Sequence, residues 1–112
     1  MTDDACVFCR IAAEELPSDV VRADGEFLAF RDIQPRAATH VLVVPRVHHD
    51  DLDAWIAAGG SSDRMLAFVR ATVDELDVAG RYRLITNVGE DAGRVVDHLH
   101  WHVLAGPRLP GF

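Results

Sequence analysis

The stretch Asp97-His98-Leu99-His100-Trp101-His102-Val103 sets a histidine at every second position, and these three are half of the 6 histidines in the 112-residue chain. On a strand, successive side chains point to opposite faces. His98, His100 and His102 then share one face, while Leu99, Trp101 and Val103 share the other and can lie on a core. Alternate residues on a strand are about 7 Å apart at Cα and the ends of this triplet about 13 Å, so a neighbouring pair can share a metal ion but all three do not converge on one. The other chemistry open to them is nucleophilic. Imidazole is largely neutral at physiological pH, attacks phosphorus through one nitrogen, and is oriented through the other. A phosphorus electrophile also needs its oxygens met by aimed donors. The loop before the triplet, VGEDAGR, supplies Gly89 and Gly93, whose backbone amides can approach a phosphate closely, with Asn87 and Arg94 as side-chain donors beside them. A lone strand histidine is ordinarily a hydrogen-bonded spectator; three in register beside a glycine loop point to a site.

A second group of reactive side chains is Cys6 and Cys9 in C-x-x-C spacing. In a reducing compartment that spacing favours a metal or redox pair over a structural disulfide, with two buried free thiols as the plainer alternative. A thioredoxin-type arrangement needs a strand ahead of the pair, and there is no room for one before Cys6. The N-terminus MTDDACVFCR starts acidic and lacks an apolar leader, and no run approaches the roughly 18 apolar residues of a membrane span, so a cytoplasmic location is expected. The composition is that of a globular chain, 49% hydrophobic and 26% charged, with a formal net charge of -7. Such a balance argues against a nucleic-acid backbone or an anionic membrane as partner. Any phosphate must be held locally, by aimed donors.

The elements that position these residues follow from pattern and punctuation, in one domain over 1–112. A short helix is expected from Cys9 to Glu15, stopped by Pro17. Strands are expected at about 19–23 and 26–31, joined at Asp24-Gly25 by a type I′ turn. THVLVVP (39–45) reads as a buried strand, 50–58 as a helix, and GGSS as a break before a longer helix over 62–77. Met65, Phe68, Val69, Val73 and Leu76 give that helix one apolar face, which reads first as core and secondarily as a partner surface. YRLITN (82–87) and 95–105 complete the strands. The fold class is α+β, an antiparallel sheet of about five strands with one long and one or two short helices packed on it.

HLHWHVL matches the pattern His-φ-His-φ-His-φ-φ with φ apolar, and the chain resembles the histidine-triad (HIT) family over nearly its whole length. CVFCRI, LAFRDIQPRAATHVLVVPRVH and YRLITNVGEDAGRVVDHLHWHVLAG carry the resemblance. It is most similar to the Hint-type nucleoside phosphoramidases and adenylyl hydrolases. The resemblance implies a HIT-like fold and an enzyme in which the middle histidine, His100, attacks the α-phosphorus of a nucleoside phosphoramidate or adenylate. Water then resolves the nucleotidyl-histidine. It further implies that His102 contacts the phosphate and that His40 and His98 complete the cluster. The resemblance also implies a purine among Phe8, Ile11, Phe30 and Ile33, with Asp32 taking the ribose hydroxyls and Asn87, Gly93, Arg94 and Val95 on the phosphate side. Taken by itself, Asp32 also reads as a turn acid. Hint-type relatives carry Gln-Ser where this chain has Arg94-Val95, and valine donates to neither a leaving nitrogen nor a phosphate oxygen. The tail GPRLPGF is also shorter than in animal relatives.

Bacterial members of the family further imply a structural zinc on Cys6, Cys9, His48 and His98, with His49 able to replace His48, and no catalytic metal or organic cofactor. A closed site of two thiolates and two imidazoles ties the N-terminus to the sheet. The family habit of joining two long helices and an edge strand across a two-fold axis implies a homodimer. Two other functions fit the same residues. One is a dinucleoside polyphosphate hydrolase, for which the short tail leaves room. The other is a purine-nucleotide-binding module with little turnover, consistent with Val95.

Overall fold

A computed structural model describes residues 5–111; the acidic start at 1–4 and the terminal Phe112 lie outside the described residues. Five antiparallel strands form one sheet in the order β1-β2-β3-β5-β4: β1 Val20–Ala23, β2 Phe27–Arg31, β3 Thr39–Pro45, β4 Arg83–Ile85 and β5 Trp101–Ala105. Helices α1 (Val7–Ala12), α2 (Leu52–Ala57) and the long α3 (Ser62–Glu75) complete the α+β architecture. None of these helices is long and apolar enough to cross a membrane.

The central strands are buried on both faces, and alternation sorts their side chains into two cores. Phe27, Ala29, Val41, Val43, Leu99 and Val103 pack with Met65, Phe68, Val69 and Val73 of α3 on one face. Leu28, Phe30, Leu42 and Val44 pack with Cys6, Phe8 and Cys9 at α1 on the other. The apolar stripe of α3 is therefore consumed by the chain's own core: Met65, Phe68, Val69 and Val73 are each 4% exposed or less. That stripe offers no surface to a partner.

Three expected elements form differently. Helix α1 starts before Cys9, because the Cys6 thiol takes the N-cap position and accepts the Cys9 N–H at 3.4 Å. It ends at Ala12, ahead of Pro17, with Ala13 as its C-cap and Glu14 turned to φ 62. The β1–β2 hairpin forms without positive φ at Asp24 or Gly25. Instead the Asp24 carboxylate accepts the amides of Glu26 (2.8 Å) and Phe27 (2.7 Å), an Asx-type turn that replaces the type I′ geometry.

The last strand begins at Trp101, not Val95, because the residues before it are captured by loops. Leu99 N–H donates to the His49 carbonyl at 2.7 Å, and the His98 ring donates to the Pro45 carbonyl at 2.8 Å. The Thr86 hydroxyl donates to the His100 carbonyl at 2.8 Å, which also keeps β4 shorter than the expected 82–87. The in-and-out alternation nonetheless persists through the triplet. Leu99 and Val103 are in the α3-side core, while the three histidines face the α1 side.

Candidate active site and metal centre

Two sites meet on the α1 face of the sheet, and hydrogen bonds fix the ring tautomers in both. In the first, Cys6 Sγ lies 3.2 Å from His98 Nδ1, Cys9 Sγ lies 3.5 Å from the same nitrogen, and Cys9 Sγ lies 3.3 Å from His48 Nδ1. His98 Nε2–H donates to the Pro45 carbonyl (2.8 Å), and His48 Nε2–H donates to the Asp50 carboxylate (3.1 Å). Each Nδ1 therefore presents its lone pair to the thiols. Sulfur and nitrogen ligands of a tetrahedral zinc lie about 3.5 Å apart, so donor types, spacing and outer hydrogen bonds all suit that ion. All four donor atoms lie within 4.8 Å of one another. His48, and not His49, supplies the fourth.

The second site is a cavity of about 360 Å³ between α1, β2, β3 and the loops before β5. A file of rings runs along it. Phe8 stands edge-on to His100 at 5.1 Å between centroids, His100 lies 5.1 Å from His102, and His102 lies 5.2 Å from His40. The Arg36 amide donates to His40 Nδ1 at 3.0 Å. His40 thus carries its proton on Nε2 and donates it to His102 Nδ1 at 2.9 Å, which leaves His102 with an outward Nε2–H. His100 donates its Nδ1–H to the His98 carbonyl at 2.8 Å, so its Nε2 holds the lone pair. The His102 Nε2–H donor and the His100 Nε2 therefore stand side by side.

Burial lowers the proton affinity of His40, His98 and His102. It lowers His102 to about 4, helped by His100, His40 and Arg36 against the opposing Asp32 carboxylate. Burial lowers His40 too, again against Asp32, whose Oδ2 is 3.4 Å from His40 Nε2. His98 falls to about 4 by burial despite its bond to the Pro45 carbonyl. Burial raises the Cys6 thiol, so a metal entering this corner displaces a proton. Asp32, His40 and His102 also bring three donors together. The Arg36 amide on His40 Nδ1 keeps a proton on Nε2, however, and makes that trio a hydrogen-bonded relay instead of a metal site.

Ten residues expected at the nucleotide line this cavity: Phe8, Ile11, Phe30, Asp32, Ile33, Asn87, Gly93, Val95, His100 and His102, joined by His40. Gly93 is at φ +94 and Gly89 at φ +83, conformations that glycine adopts freely. Ile33 and Val95 stand at the mouth, 93% and 89% exposed. Arg94 is a correction: its guanidinium is held by Asp51 (3.0 Å), the N-cap of α2, and lies 3.1 Å from Asp97, away from the cavity. His98 is a second. It sits in the metal corner and reaches the site only through its carbonyl, which makes it a positioning residue. Sequence reasoning missed Leu42 and Arg36. Leu42 follows His40 by two on β3, a signal that alternation carries; Arg36 stood out only as the lone charge in IQPRAAT.

The HIT domain family model matches residues 13–109. Protein HitA of Neisseria gonorrhoeae is 36% identical over 108 residues, which cover 93% of this chain and 98% of that protein. A histidine triad protein from Clostridium difficile superposes with a TM-score of 0.88 at 36% identity, covering 100% of this chain and 99% of that one. A HIT family hydrolase from Clostridium thermocellum gives a TM-score of 0.86 at 34% identity, with 99% and 98% covered. The chain belongs to the HIT domain family, and its fold is HIT-like.

Proposed function

We propose that the protein is a purine-nucleotide-binding hydrolase that cleaves AMP-X, a nucleoside phosphoramidate or adenylate, to AMP and X through a nucleotidyl-His100 intermediate. The observation that carries this reading is the His100 tautomer: its Nδ1–H is committed to the His98 carbonyl, so the nucleophilic lone pair belongs to Nε2 of a ring that lines the cavity. The base stacks among Phe8, Ile11 and Phe30. Asp32 uses Oδ1 to hold the Gln34 amide at 2.8 Å, which leaves Oδ2 for a ribose hydroxyl.

His100 Nε2 forms a bond to the α-phosphorus while the P–X bond breaks, and its electron pair leaves with X, which takes up a proton. His102 Nε2–H meets a phosphate oxygen as charge gathers there. Water then attacks phosphorus, the P–N bond breaks, the lone pair returns to His100, and the water's proton is released. Cys6, Cys9, His48 and His98 hold a structural zinc, which when bound ties the start of α1 to the sheet. A cytoplasmic setting suits two unpaired thiols.

Rapid-quench mass spectrometry with an adenylate substrate tests the reading. An AMP adduct on His100 is expected in the native protein and none in His100→Ala, with AMP binding nearly intact. His102→Ala should slow turnover yet still form the adduct. An adduct that maps elsewhere overturns the assignment, and AMP binding with no turnover makes the chain a binding module.

A further inference from the structure

We propose that Asp51 is a positioning residue for the phosphate side of the cavity, acting through Arg94. This rests on the nucleotide-binding reading above and adds a group that touches neither base nor phosphate. Among the described residues, Asp51–Arg94 is the one arginine–carboxylate pair shielded on both sides, at 3.0 Å with the two side chains only 17% and 18% exposed. Every other such pair, including the contact of Arg94 with Asp97, has at least one partner in solvent. Exposed pairs hold little, whereas a shielded charge that loses its partner is costly, so this pair joins its two segments firmly.

The two carboxylate oxygens have separate partners. Oδ1 accepts the Ala54 N–H at 2.9 Å and caps α2, and Oδ2 accepts from Arg94 at 3.0 Å. Helix α2 is rooted in the core by Trp55, whose N–H donates to the Asp51 carbonyl at 3.0 Å. Asp97 is a weaker second hold, 3.1 Å from Arg94 Nε but without hydrogen-bond geometry. Arg94 itself is outside the cavity, yet Gly93 and Val95, its neighbours in the chain, both line it with His100 and His102. Consecutive Cα atoms are about 3.8 Å apart, so anchoring Arg94 places the peptide groups on either side of it. The Gly93 and Arg94 amides are taken within the loop by the carbonyls of Glu90 (2.9 Å) and Gly89 (3.2 Å). The Val95 N–H has no acceptor among the described residues. Since the valine side chain cannot donate, any hydrogen bond from this position to phosphate falls to its main chain, whose place the Asp51–Arg94 clamp sets.

The test uses Asp51→Asn, which keeps the oxygen that caps α2 but turns an amide N–H toward Arg94, donor against donor. By calorimetric titration, AMP affinity should fall about fivefold, the usual size of coupling between sites, and adenosine affinity, with no phosphate to place, by less than about twofold. Exchange of the Gly93 and Arg94 amides in the ligand-free protein should quicken. Arg94→Gln, which leaves the cap untouched, should act in the same way. Combining Asp51→Asn with Arg94→Gln should recover part of the AMP affinity, because the glutamine oxygen can accept from the asparagine amide. Equal losses for AMP and adenosine would reduce Asp51 to a structural role and overturn the proposal. So would unchanged affinity and exchange in the single variants, or a double variant weaker than both. If the native protein binds neither AMP nor adenosine, the nucleotide reading fails by itself, and amide exchange in the three variants still decides whether Asp51 places the loop.

Discussion

His100 donates its Nδ1–H to the main-chain carbonyl of His98 at 2.8 Å, while the Nδ1 of His98 itself faces the Cys6 thiol at 3.2 Å. The residue that orients the proposed nucleophile thus also belongs to the metal corner. Helix α1 makes a second link, since Cys6 and Cys9 flank Phe8, whose ring lies edge-on to both His98 (5.8 Å) and His100 (5.1 Å). Metal removal should therefore loosen the nucleotide site. Chelation is expected to lower thermal stability, expose Cys6 and Cys9 to alkylation, and weaken AMP binding by about fivefold or more, within the usual range of coupling between sites. By reciprocity AMP should tighten the metal to the same degree. Unchanged AMP affinity after complete metal removal would disprove the coupling, and protein purified without metal and with both thiols reactive would remove the zinc site itself.

The relay from the Arg36 amide through His40 to His102 leads to a mutational expectation. His40→Ala leaves His102 Nδ1 without its donor, so the proton is free to settle on Nδ1, and that tautomer presents no donor to the phosphate. Turnover should fall roughly tenfold to a hundredfold, a modest share of what a positioned donor contributes, with KM changed far less. His40→Gln, which can still donate through its amide, should recover part of the loss. Equal kcat in all three proteins would show that the relay does not set the His102 tautomer.

Stability should fall on acidification through these same rings. His102 in the folded chain is lowered to about 4, from an ordinary 6.5, by burial first and then by His100 and His40. Between those values the unfolded chain binds a proton that the folded one refuses, so stability drops as pH falls through 6.5 and levels off below about 4. Because the ring is only half-buried, the loss is discounted to about 1–2 kcal/mol. Denaturant midpoints at neutral pH and near pH 5 check it. His102→Gln should show a visibly smaller acid loss than the native chain, and identical slopes would refute the contribution of this ring.

Which features were legible in the sequence follows from how local their causes are. Alternation along THVLVVP places His40 with Leu42 and Val44 on one face and Val41 with Val43 on the other, and the two cores divide in that way. The same rule kept the triplet on one face, and resemblance to the family supplied the roles. The parts that escaped depend on distant partners. Arg94 sits next to the triplet, yet Asp51, 43 residues away, claims its guanidinium. Val95–His100 looks like a strand, but the His49 carbonyl, beyond the end of β3, takes the Leu99 amide in place of a ladder bond. Whether His48 or His49 would face the thiols depends on the turn after β3, which local pattern does not encode.

The last prediction concerns self-association. The α3 stripe is spent on the internal core, so a homodimer has to be built elsewhere, and the sheet itself offers the place. Among the described residues, strand β4 is terminal in the order β1-β2-β3-β5-β4 and pairs with β5. Terminal strands pair readily with another chain, and a strand that meets its own copy antiparallel across a two-fold axis makes a closed, isologous contact that continues both sheets. We propose that the protein dimerises in this way through Arg83–Ile85. Light scattering at micromolar concentration should give twice the chain mass, and hydrogen exchange in β4 should slow as concentration rises through the dissociation range while exchange in β3 stays constant. A monomer at all accessible concentrations, or β4 exchange that ignores concentration in a proven dimer, would rule this interface out.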